Sequence, residues 1–176
     1  HLWWRDKDFV PPYKEPNGEN CYWSRGNAWV YAALIRTLEV MPADAPHREE
    51  YIRDFIDMSE ALLPLQRNDG FWNVSLHDPT NFGDKETSGT ALFVYGMAYG
   101  VNNGILKKET YLPVIQKAWN ALTKESLHDN GFLGYLQSTG KEPKDGQPLS
   151  YDKIPDFEDY GLGCFLLAGS EIYKMK

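Results

Sequence analysis

A chain of 176 residues with 42% hydrophobic content has the size and apolar share of one compact domain with a core, which excludes a disordered segment. A net charge of -7 without any cluster of Lys and Arg excludes a nucleic-acid binder, because such proteins must neutralise phosphates. No apolar run approaches the roughly 20 residues of a membrane-spanning helix, so the chain reads as soluble and no membrane partner is expected.

The chain opens on His1 without a basic leader or a small-residue cleavage site, and its start reads as an internal point of a longer sequence. At Arg25-Gly26-Asn27 a helical stretch begins, apolar on every side over residues 28–35. An amphipathic helix follows: Tyr51, Ile52, Phe55, Ile56, Ser59, Leu62 and Leu63 share one face, and Glu49, Arg53, Asp54, Asp57 and Glu60 the other. Asn68-Asp69-Gly70 then signals a turn, followed by residues of extended character at 73–76.

The cycle repeats. Ser88-Gly89-Thr90 opens a second all-apolar stretch over 91–98, and Leu112, Ile115, Ala118, Trp119 and Leu122 form the face of a second amphipathic helix. Asp129-Asn130-Gly131 repeats the turn, with extended residues at 134–137. The acidic run Asp156-Phe157-Glu158-Asp159 leads through Tyr160-Gly161-Leu162 into a third apolar stretch over 162–169, where acidic residues suit a helix N-terminus.

The three glycines are 63 and 72 residues apart, longer than a solenoid repeat. Buried helices alternating with half-exposed ones imply two concentric layers of antiparallel hairpins, the plan of an all-α toroid. Three inner and two outer helices amount to about half of an (α/α)6 ring of six hairpins, so residues 1–176 read as a single partial toroid domain whose N-terminal half lies in other sequence. Small residues let the inner-helix starts crowd together. The turns return to those starts, so loops and inner-helix N-termini share one face, electrically suited to anions.

On that face Arg25 and Trp29 lie four residues apart, one turn of helix. A guanidinium fork matches a carboxylate and an indole stacks on a sugar ring, so the pair suits a uronic acid; the same residues equally serve as an Arg that caps a loop and a Trp that fills the core. Aromatics make up 14% of the chain, several beside Gly or polar residues as sugar stacking requires. Thr87 and Ser88 are placed to cap the second inner helix, and His77 reads as a solvated loop residue. Cys21 and Cys164 either pair or remain buried thiols. Four scattered His and two distant Cys make no metal-ligand set, and no cofactor is expected.

Trp23-Ser24-Arg25-Gly26-Asn27-Ala28-Trp29 resembles the W-x-R-G-N-x-W signature of the unsaturated rhamnogalacturonyl hydrolases, glycoside hydrolase family 105, and Glu86-Thr87-Ser88-Gly89-Thr90-Ala91 is similar to their E-T-S-x-T/S-A segment. The resemblance continues through Gly70-Phe71-Trp72, Lys117-Ala118-Trp119 and residues 161–171, covering the chain in order. It departs at Trp72-Asn73-Val74, where many members carry W-H-Q, and at Ala28, where Gly is commoner before Trp.

The resemblance implies a glycosidase of pectin-type glycans that binds a terminal 4,5-unsaturated uronate, as in unsaturated galacturonyl-rhamnose. Arg25 and Trp29, with Trp23, Trp72 and Ser88, are then expected to face substrate, as is His1, about two dozen residues upstream of Arg25. An acid protonates the enol-ether double bond, water adds at the adjoining carbon and the hemiketal collapses. The family's acid is an Asp in the N-terminal half of the ring, and no Asp here matches it, so the fragment alone is expected to bind rather than react. Two other readings stand beside this one: a non-catalytic carbohydrate-binding half-ring, and another sugar-active enzyme on a similar ring, an epimerase or lyase. A half-ring also leaves apolar flanks that favour self-association.

Overall fold

The three aligned glycines each occupy the third position of a helix: Gly26 in α1 (Ser24–Val40), Gly89 in α3 (Thr87–Asn102) and Gly161 in α5 (Asp159–Lys174). Between them run α2 (Arg48–Leu62) and α4 (Lys108–Ala121). The computed structural model describes residues 1–140, 144–153 and 159–175; Asp156 and Glu158 of the expected acidic cap, with Phe157 between them, lie outside that set.

The order of packing follows from hydropathy. α3 is central, flanked by α1 on one side and α5 on the other, while α2 backs α1 and α4 backs α3. Every residue of α3 from Thr87 to Gly100 is buried, as its all-apolar sequence requires. The outer helices bury one stripe each, Phe55, Met58, Ser59 and Leu62 in α2 and Tyr111, Ile115, Ala118 and Ala121 in α4. The inner and outer layers meet where Tyr31 stacks on Phe55 with centroids 4.9 Å apart and shares a 2.5 Å hydrogen bond with the hydroxyl of Ser59. At Gly96 a Cβ would fall 2.2 Å from the Tyr31 ring, so the absence of a side chain there is what lets α1 approach α3.

The expectation of burial all round holds for α3 and not for its two neighbours. α1 exposes Trp29, Ala33, Arg36 and Val40, and α5 exposes Leu162, Leu166 and Tyr173. Each of these helices has α3 on one flank and, among the described residues, no inner helix on the other.

Both predicted turns form with the same wiring. Gly70 (φ +98) donates to the Arg67 carbonyl, Arg67 N–H donates to Phe71 O and Phe71 N–H to the Asp69 side chain. Gly131 (φ +86), His128, Phe132 and Asn130 repeat those contacts one hairpin later. Left-handed backbone at that position favours glycine. The extended segments behave differently from one another. Trp72–Asn73 forms β1, antiparallel to an unforeseen β2 at Lys85–Glu86, and Ser75 makes a single bridge to Trp23. Residues 134–137 form no strand, because Tyr135 adopts φ 54, a turn that an extended run does not tolerate. No helix among the described residues is long and apolar enough to cross a membrane.

Candidate functional site

The second residues of the three inner helices, Arg25, Ser88 and Tyr160, converge. Arg25 Nη1 donates to the backbone carbonyls of Gln137 (2.8 Å) and Ser138 (2.9 Å) and to Tyr160 Oη (3.1 Å). Arg25 as a residue is 8% exposed, and its guanidinium lies 5.4 Å from the Trp23 ring and 5.7 Å from the Tyr160 ring. None of these acceptors is a carboxylate, so the guanidinium is held by neutral groups alone. Burial, with the nearby Glu86 as a second cause, pushes the Tyr160 phenol up to about 12; protonated at neutral pH, it donates to the Gln137 carbonyl, and the Ser88 hydroxyl lies beside it.

Glu86, the last residue of β2, closes the arrangement at the head of α3. Fully buried, it accepts from the N–H groups of Ser88 (3.1 Å) and Gly89 (2.6 Å) and from Ser88 Oγ (2.7 Å). The helix cap is therefore Glu86 rather than Thr87 or Ser88, because a carboxylate two residues back reaches more orphan N–H groups than a hydroxyl already inside the first turn. Thr87 instead ties α3 to the following loop, donating to Gly134 O at 2.7 Å. A Cβ on Gly89 would sit 2.3 Å from Ser24 Oγ, at the start of α1, so the inner-helix starts do crowd as their glycines suggest.

The residues expected to face substrate separate into four groups. Arg25, and Trp23 with its indole Nε1 donating to Gln137 Oε1 at 3.1 Å, form the floor of the convergence. Trp29 is 45% exposed one turn along α1, free to present a ring face, although the aromatic rings beside Arg25 are Trp23 and Tyr160. His1 is engaged by the outer layer: its Nδ1 pairs with Asp57 of α2 at 2.9 Å. Trp72 and Ser88 have no exposed surface and cannot touch a sugar. Trp72 is a core residue, packed on Phe93 and donating to Leu62 O at 3.0 Å, because its place at the head of β1 points the indole under α3; Ser88 is turned inward by Glu86.

Other details depart from the bland reading. His77 is half-buried, edge-on to Tyr22 at 4.9 Å, and desolvation lowers its pKa. Cys21 and Cys164 are free and buried, and desolvation pushes both thiols up to about 12, with Glu15 adding to the effect at Cys21. Sequence reasoning missed Tyr160, Gln137 and Ser138. Tyr160 carried a signal, since it aligns with Arg25 and Ser88 in the glycine repeat; Gln137 and Ser138 act mainly through backbone carbonyls, which no side-chain motif records.

The family model described as Glycosyl Hydrolase Family 88 matches residues 1–176. The chain belongs to this family. An unsaturated 3S-rhamnoglycuronyl hydrolase of Formosa agariphila is 39% identical over 180 residues, covering 99% of this chain and 46% of that protein. A structure of a family 88 glycosyl hydrolase from Bacteroides vulgatus superposes with a TM-score of 0.93 at 39% identity, over 99% of this chain and 50% of that one. A second structure, named as a polysaccharide lyase, gives 0.91 at 36% identity over 99% and 49% of the two chains. The family 88 chain thus spans about half the length of these relatives, and members of the (α/α)6 toroid group share its helical plan.

Proposed function

We propose that this chain provides the uronate-binding half of an unsaturated glycuronyl hydrolase, in which Arg25 receives the substrate carboxylate, Trp29 stacks on a sugar ring and Trp23 supports the guanidinium from beneath. The observation that carries this reading is the clamping of Arg25. One nitrogen is shared among two carbonyls and a phenol, all of them neutral, which orients the guanidinium and leaves its other N–H groups out of these bonds. A preorganised cation where inner-helix N-termini converge suits a planar carboxylate.

In the reaction proposed, a proton is delivered to C4 of the 4,5-unsaturated uronate, water adds at C5, and the hemiketal opens to release the adjoining sugar. The proton donor is proposed to be an Asp from sequence outside these 176 residues, with no cofactor. The ultraviolet absorbance of an unsaturated disaccharide tests this. The chain is expected to bind the disaccharide, with loss of binding in Arg25→Ala and Trp29→Ala, and to leave the absorbance unchanged. Its disappearance with the chain alone would refute the division of labour.

A second reading, a lyase, is favoured by the name of one similar structure. A lyase creates the double bond, so absorbance would rise on an intact uronate polymer. The exposed apolar strips of α1 and α5, with Leu166 60% and Val40 82% exposed, support a further proposal that these flanks associate with another helical surface such as a second copy. A solution mass equal to one chain would count against it.

A further inference from the structure

Arg25 is not the only cation on Trp23. The Arg5 guanidinium lies 5.4 Å from the same indole ring, the distance at which Arg25 lies, so the two charges are separated by at most twice that length. Trp23 is itself immobilised, 5% exposed and bonded to Gln137, and cannot shift to release either.

The two arginines are held differently. Arg25 has three acceptors on one nitrogen and little open surface. The Arg5 side chain is 32% exposed and has one acceptor, Asp6 Oδ2 at 2.8 Å. Asp6 is anchored in turn, because its Oδ1 accepts from Asp8 N–H at 2.8 Å and caps the short 3-10 turn Lys7–Phe9. Arg5 is therefore oriented along one edge by Asp6 and over one face by Trp23, while its other N–H groups meet no acceptor among the described residues.

The segment carrying Arg5 is bolted to α1. Trp3 N–H donates to Asn27 Oδ1 at 2.7 Å, and Asn27 Nδ2 donates back to Trp3 O at 3.0 Å. Asn27 thus does more than finish the first turn of α1: it holds the segment that lays Arg5 on Trp23. Next to Arg5, Trp4 is 39% exposed and packs on Tyr22 at 5.5 Å, giving a partly open aromatic surface beside the cation.

We infer that Arg5 is a specificity-determining residue that binds a second oxyanion, a carboxylate or a sulfate ester, on the sugar adjoining the unsaturated uronate. The inference rests on the uronate reading of Arg25. Two guanidiniums on one indole suit a ligand with two anionic groups, and the N–H edge of Arg5 not taken by Asp6 matches either oxyanion in bidentate fashion.

The test is calorimetric binding of three 4,5-unsaturated uronyl disaccharides whose second sugar is neutral, sulfated or itself a uronate. Arg5→Gln is expected to weaken the sulfated or the uronate ligand at least tenfold and to leave the neutral one within twofold, and Arg5→Lys to recover part of the loss. Which charged ligand is affected identifies the oxyanion. Equal weakening of all three ligands would make Arg5 a mere support for Trp23, and unchanged binding of all three would make it a solvated side chain; either result overturns the inference. Arg25→Gln is expected to weaken all three. If it weakens none while Arg5→Gln stays selective, the uronate reading of Arg25 fails and the anion site at Arg5 stands.

Discussion

Arg25 on α1 and Tyr160 on α5 are joined by a 3.1 Å hydrogen bond across the head of the central helix, although neither helix is the sequence neighbour of the other. The bond connects the first and last inner helices at the point where their N-termini approach, and the same phenol donates to the loop carbonyl that Arg25 also uses. Removing the hydroxyl while keeping the ring, Tyr160→Phe, retains the cation–π face and frees one guanidinium contact. Its expected effect is a weaker affinity for an unsaturated uronyl disaccharide, by about three- to tenfold, as for one hydrogen bond of roughly 1 kcal/mol, with the fold intact by circular dichroism.

Trp72 and Trp29 have opposite roles and are expected to respond oppositely. Trp72→Ala empties a fully buried site and leaves the Leu62 carbonyl without its donor, so a loss of about 3–5 kcal/mol in denaturant unfolding is expected. Trp29→Ala removes a 45% exposed ring and is expected to change stability by less than about 1 kcal/mol while reducing disaccharide affinity.

Two glycines in the inner helices make a matched pair. A methyl at Gly89 would lie 2.3 Å from Ser24 Oγ and 2.8 Å from Glu86 Oε2, whereas one at Gly163 meets nothing within 4 Å. Gly89→Ala is expected to lower the melting temperature, at a cost of about 1–3 kcal/mol from overpacking. Gly163→Ala is expected to raise it, by up to about 1 kcal/mol from helix propensity.

The lowered pKa of His77 makes a pH prediction. Desolvation against Tyr22 favours the neutral ring in the folded chain, so its contribution to stability is full above the unfolded value of about 6.5 and is lost as pH falls through the lower folded value. His77→Gln is expected to flatten the fall in melting temperature below pH 6.5. An unaltered profile would show that other groups carry the acid sensitivity.

The periodic features were legible without coordinates. The glycine register, the alternation of buried and half-exposed helices and the two Gly-centred turns all arise from local rules, since side-chain hydropathy sets which helix face is buried and a left-handed turn selects glycine. The convergence of the inner-helix starts follows from the same register. The signature around Arg25 was likewise legible as a cation near aromatic rings, although the rings turned out to be Trp23 and Tyr160 rather than Trp29.

Tertiary structure alone decided which residues of that face are available. Trp72 and Ser88 sit in suitable motifs yet are fully covered, and His1 is paired with Asp57 of the outer layer, because exposure and partners depend on what packs around a residue and not on its neighbours in sequence. The clamp on Arg25 uses carbonyls of Gln137 and Ser138, more than a hundred residues away in the chain. Backbone carbonyls are present at every position and carry no compositional mark, so only the folded path of the loop reveals which of them meets a guanidinium.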